Sequence, residues 1–151
     1  MELEALKRKI ENYCAYQERS QQQVRQKLYE YGLGTEQVEE IISELIVAGF
    51  INEERFAKIY VSGKFRLKKW GRIKIVNGLN QHKISDYCIK KGLAEIDDND
   101  YHETLQLLLS KKKDTLANLN TTEQNNKLIR YATSKGFEYQ LVVETLKQID
   151  Q

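Results

Sequence analysis

Three stretches of this chain share one layout, and that layout limits the fold more than any other feature. They are VRQKLYEYGL ending at Leu33, IVNGLNQHKI ending at Ile84 and LIRYATSKGF ending at Phe137. The three anchors are 51 and 53 residues apart. Nine positions before them stand Val24, Ile75 and Leu128, and five before them Leu28, Leu79 and Ala132. Five positions after come Val38, Ile89 and Val142; nine after, Ile42, Leu93 and Leu146; twelve after, Leu45, Ile96 and Ile149. The four-residue step before each anchor stacks two side chains on one helix face, and the series after it traces an amphipathic stripe. Gly32 and Gly136 stand where a helix end wants a left-handed residue. Thr35, Ser85, Ser20 with Gln23, and Asn52 offer helix N-caps. A further helix precedes each pair, over Leu3 to Tyr16, Asn52 to Lys69 and Asp100 to Leu116. The expected fold is therefore all-α, three tandem three-helix repeats in an elongated, curved array: 1–50, a basic 51–97, and 98–151. Joints fall near Gly49–Asn52 and Asp97–Asp100.

Composition agrees with helix. Proline is absent, and no run approaches the roughly 18 apolar residues of a membrane span. The first residues have no signal-peptide core, so the expected setting is the cytoplasm, with no membrane association. Cys14 and Cys88 stand in unrelated contexts and suggest neither a disulfide framework nor a zinc site.

The net charge of +2 hides a polarity. From Lys58 to Lys91 there are ten Lys or Arg and one acid, Asp86, while the remaining 14 bases face 21 acids. The densest part is KFRLKKWGRIK, Lys64 to Lys74, six bases without an acid. A merely soluble helix normally uses i,i+4 ion pairs, which this one forgoes. Along the same helix Phe56, Tyr60, Gly63, Leu67 and Trp70 fall on one stripe, and Phe65 projects among the lysines. The bases Lys64, Arg66, Lys68, Lys69, Arg72 and Lys74 are the candidate partner-binding or DNA-binding set, and Phe65 a candidate aromatic contact. Trp70, beside Gly71, reads as closing the corner. Lys111, Lys112 and Lys113 end a helix, where cations favour the dipole, and form a candidate secondary basic patch. Tyr13, Tyr16, Tyr60 and Tyr87 read as packed rings. No catalytic constellation stands out. His82 and His102 share no motif with the cysteines, DDND lacks the Gly and Glu of a calcium loop, and YGLGTE fails the dinucleotide pattern. The expectation is a protein without catalytic residues, metal or cofactor.

With the repeats laid out, the chain resembles the RecX family of recombinase regulators. The carrying stretches are ERSQQQVRQKLYEYGL, GFINEERFAKIYV, KKWGRIKIVNGLNQHKI and NKLIRYATSKGFEYQLVVETL. The resemblance runs from about Tyr13 onward, and its most specific piece is the set Asn52, Glu53, Arg55, Phe56 and Tyr60 before the basic helix. Two departures stand in the second repeat, where the family usually reads Glu-Leu and then Lys-Gly-Ile; here Gly78-Leu79 and His82-Lys83-Ile84 take their place. Either Lys83 adopts an unfavourable backbone or the turn is built differently. Gln23 also stands where the family often has Glu. The resemblance implies a monomeric regulatory protein of DNA repair, recombination and the SOS response. It would bind the RecA recombinase in the groove of its filament on DNA and restrain it. By its charge the basic patch suits a non-specific contact to DNA phosphates and an acidic protein groove alike. A plain helical DNA-binding module and a helical-repeat scaffold are the alternatives.

Overall fold

The computed structural model describes residues 2–149; the ends of the first and third expected repeats, residues 1 and 150–151, lie outside them. Among the described residues there are nine helices and no strand. These are α1 (Leu3–Tyr16), α2 (Gln21–Glu30), α3 (Thr35–Val47), α4 (Glu53–Lys68), α5 (Arg72–Gln81), α6 (Asp86–Leu93), α7 (Asp98–Asp114), α8 (Thr121–Ser134) and α9 (Tyr139–Ile149).

Five of the helices begin where a side chain satisfies a first-turn N–H group. Ser20 and Gln23 form a reciprocal capping box at α2. Asn52 Oδ1 accepts from the Arg55 N–H at 2.8 Å, and Ser85 Oγ from the Cys88 N–H at 3.3 Å. Asp97 and Asn120 cap α7 and α8 in the same way. Each such cap contributes about 1 kcal/mol. Thr35 does not: Gly34 occupies the N-cap position of α3, and Thr35 is already helical. The turns end as glycine dictates at Gly32 (φ 86°) and Gly136 (φ 99°). In the second copy the turn keeps the same left-handed geometry without glycine, and Lys83 carries it at φ 59°.

The aligned columns are the core. Val24, Ile75 and Leu128 are fully buried, as are Leu28, Leu79 and Ala132; Val38, Ile89 and Val142 are at most 6% exposed. By the contacts it makes the chain divides into two compact units. One takes in the chain through Tyr60 together with Leu79–Gly92, the other Val61–Gly78 with the chain from Leu93 onward. In the first unit α2 packs against α1 and α3 over Ile10, Cys14, Val24, Leu28, Val38 and Ile42. Its buried Ser20 bonds the His82 Nδ1 at 2.9 Å, and the His82 ring lies 5.0 Å from Phe56 and 5.6 Å from Tyr60. Cys14 and Cys88 are free and buried, and burial pushes the Cys14 thiol up to about 11.

The second unit is built on α7, α8 and α9, which all pack on one another. Tyr101 is fully buried at its centre, its ring 5.8 Å from Phe65 and 5.0 Å from Phe137. The loop between α4 and α5 is tied to the turn between α8 and α9 by backbone hydrogen bonds. The Gly71 N–H donates to the Lys135 carbonyl at 2.7 Å, and the Ile73 N–H to the Gly136 carbonyl at 2.9 Å. A Cβ on Gly71 would lie 2.3 Å from the Gly136 carbonyl carbon, and one on Gly136 2.4 Å from the Lys74 Cβ. Only glycine on both sides lets the two segments approach this closely.

Two periodicity readings need correction. The buried residues of α4 are Phe56, Ala57, Val61 and Phe65, whereas Leu67 is 83% exposed. Its apolar stripe therefore runs through Val61 and Phe65 rather than through Gly63 and Leu67. Tyr16 and Tyr87 are 84% and 64% exposed, so their rings are not core.

Two measurements test this construction. Gly71→Ala is expected to cost about 1–3 kcal/mol of unfolding free energy, as overpacking against unyielding backbone does. Gly63→Ala, in α4 with open space at its Cβ position, should gain up to about 1 kcal/mol of helix propensity. Urea unfolding of the two variants separates the signs. Burial, then the hydrogen bond donated to Glu138, raises the Tyr101 hydroxyl above the ordinary tyrosine value. The fold thus favours the neutral phenol. That contribution is complete below a pH of about 10 and is lost as pH rises beyond it, at up to roughly 1.4 kcal/mol per pH unit. Tyr101→Phe should show a shallower alkaline loss of stability than the parent, although it starts from a lower value at neutral pH.

Candidate functional site

The stretch Lys64 to Lys74 comprises the last turn of α4, a three-residue corner and the first turn of α5. The corner is made by Lys69, whose backbone is left-handed at φ 59°, with its N–H bonded to the Phe65 carbonyl at 3.0 Å. The Trp70 N–H then reaches back to the Lys64 carbonyl at 3.1 Å, and Gly71 docks on the Lys135–Gly136 turn. Geometry sorts the six bases into three groups.

The first group faces out around Trp70. The half-buried indole has the Lys64 ammonium 4.8 Å from its ring centroid and the Lys74 ammonium at 4.6 Å. Each contact contributes roughly 0.5–1 kcal/mol at an exposed site and holds a long side chain in place. Lys68 is exposed beside them, and its carbonyl accepts from the Lys135 Nζ at 3.4 Å. Lys135 also lies 5.9 Å from the Tyr131 ring, which Lys112 approaches from α7 at 5.1 Å. Lys64 and Lys74 thus lie on Trp70, Lys112 and Lys135 on Tyr131, and the Lys135 bond to the Lys68 carbonyl joins the two groups into one lysine–aromatic series. Lys111 is exposed and Lys113 half-buried at the same helix end. Lys135 escaped the sequence reading. It precedes a turn glycine, where a cation suits the helix C-terminus, but nothing in its neighbours announces a contact with a residue 67 positions away.

The second group is Arg72 alone. Its guanidinium pairs with Asp98 at 2.8 Å and Glu138 at 3.0 Å, and stacks 3.8 Å from the Tyr101 ring. Its backbone N–H donates to the Tyr101 hydroxyl at 2.9 Å, and that hydroxyl donates to Glu138. Two carboxylates answer its charge within the chain, and they fasten the start of α5 to α7 and to Glu138, just ahead of α9.

The third group is Arg66 and Lys69. They line a groove of about 220 Å³ whose other side carries Asp100, Glu103 and Leu107 of α7. Phe65, expected as an aromatic contact, is 6% exposed and packs on Tyr101. Burial leaves it no free ring face, so its role is in the core. Among the described residues no group of three His, Cys, Asp or Glu is placed to hold a metal ion, and no helix is long and apolar enough to cross a membrane.

Comparison with known proteins follows the same outline. The family models described as the first and second three-helix domains of RecX match residues 7–45 and 52–93. The chain is 28% identical over 135 residues to the regulatory protein RecX of Clostridium acetobutylicum, covering 87% of this chain and 62% of that one. It is 32% identical over 133 residues to the RecX of Clostridium tetani, covering 87% and 61%. With the RecX of Lactobacillus johnsonii it shares 24% over 139 residues, covering 92% and 51%. The chain thus spans between about half and three-fifths of the length of these curated relatives. The crystal structure of RecX from Lactobacillus salivarius superposes with a TM-score of 0.87 at 24% identity, covering 95% of this chain and 94% of that one; this shows the fold. The three-helix repeats, the joint before the basic helix and these matches together place the chain in the RecX family of regulatory proteins.

Proposed function

We propose that this chain regulates the RecA recombinase without catalysis of its own. As a monomer in the cytoplasm, it binds the RecA filament on DNA and restrains strand exchange and ATP hydrolysis. Three repeats, 1–50, 51–97 and 98–151, form the binding body, and the Trp70 face of the second repeat supplies the polyanion contact. The lysine–aromatic series built on Trp70 and Tyr131 carries this reading. It holds Lys64 and Lys74 against Trp70 and brings Lys135 to the Lys68 carbonyl and the Tyr131 ring. Lysines around an indole suit a phosphate backbone, because ammonium groups bind phosphate without reading sequence. A filament that presents DNA and protein side by side offers such a surface.

The DNA-dependent ATPase and strand exchange of the cognate RecA, with and without stoichiometric protein, test the function directly; a fall in both is expected, and no change would sink the proposal. Lys68→Glu with Lys74→Glu should weaken filament binding at least about tenfold, or roughly 1.4 kcal/mol, with helicity unchanged by circular dichroism. On naked duplex, binding followed through Trp70 emission should fall with salt along a log–log slope of about −3 to −4, as for four neutralised phosphates.

A further inference from the structure

The basic stretch does not present one surface. Arg66 and Lys69 form one rim of the groove, and the opposite rim is a single face of α7, where Asp100, Glu103 and Leu107 follow at helical spacing. Among the described residues none of the four charged groups is held in an ion pair, so the two rims face each other with their charges uncommitted. Leu107 is 68% exposed on the α7 side, and the buried Phe65 lies beneath the α4 side.

Each property argues against a nucleic acid here. Two carboxylates on one rim repel phosphate, and the four charges sum to zero. At about 220 Å³ the space is also smaller than the roughly 300–1,000 Å³ of small-molecule sites. It suits one or two side chains of a docking segment. Lys69 takes its place on the rim at the left-handed end of α4.

We infer that this groove docks a segment of a protein partner that carries an apolar side chain between a carboxylate and a cation. The carboxylate meets Arg66 and Lys69, the cation meets Asp100 and Glu103, and the apolar group packs on Leu107. The inference rests on the proposed filament reading for its partner and divides the labour of the basic stretch: the Trp70 face meets phosphates, and the Arg66–Lys69 face meets protein.

The test measures binding of the full chain and two variants to cognate RecA filaments on single-stranded DNA, and to the same DNA alone. The variants are Asp100→Lys with Glu103→Lys, and Leu107→Ser, an exposed change that leaves the core untouched. Both should lose filament affinity about tenfold or more, with DNA affinity unchanged or, for the lysine variant, raised. Full filament affinity in both variants overturns the groove while leaving the filament reading intact. A parallel rise on filament and DNA in the lysine variant would assign the groove to a polyanion, against the inference. A change in oligomeric state alone, seen by sedimentation, would make the occupant a second copy and equally overturn it. Failure of the parent chain to bind filaments overturns both readings at once.

Discussion

The backbone contact between Gly71 and Gly136 fixes the chemistry of the second unit. Two glycines from segments 65 positions apart in the chain approach so closely that a Cβ on either would collide with the other segment. The Gly71 N–H donates to the Lys135 carbonyl and the Gly136 carbonyl accepts from the Ile73 N–H, which closes the gap. Because the contact is backbone to backbone, it sets the position of the chain on both sides of it. On one side are Trp70, Lys68 and Lys74; on the other, Lys135 and, one turn earlier, Tyr131. The lysine–aromatic series exists because these two turns meet. Next to it, Arg72, Tyr101, Glu138 and Asp98 are joined in one hydrogen-bonded network.

Charge in this protein is allocated rather than spread. Arg72, within the basic stretch, is answered by Asp98 of α7 and by Glu138 just ahead of α9 and works as a fastener. The neighbouring lysines are held against aromatic rings, which orient ammonium groups without neutralising them. This difference follows from chemistry. A planar guanidinium can serve two carboxylates and a phenol ring at once, whereas an ammonium over an indole keeps most of its charge for something outside.

Much of the fold was legible because helices write their period into the sequence. The columns at Val24, Ile75 and Leu128, and at Leu28, Leu79 and Ala132, line the cores at complete burial. The capping box of Ser20 and Gln23 and the left-handed Gly32 and Gly136 also follow from local rules. Even the irregular turn was visible as a missing glycine, and Lys83 accepts the strain. The site was less legible, because period and charge tell which face a residue occupies but not what comes to meet it. Phe65 reads as surface among lysines until Tyr101 arrives from 36 positions away. Arg72 reads as available until Glu138 arrives from 66. Gly71 reads as a helix break, and only the neighbouring turn shows that it is a contact. Thr35 misled for a simpler reason: Gly34, one residue earlier, already takes the cap position.

The central claim is that the Trp70 face, rather than basic charge at large, engages the filament. Lysine reactivity measured by mass spectrometry, on the free chain and on the chain bound to RecA filaments, tests it most directly. Lys64, Lys68, Lys74 and Lys135 should be protected together, while exposed lysines of the other unit, such as Lys9 and Lys90, keep their reactivity. Uniform protection across both units, or protection that spares Lys68 and Lys74, would contradict it.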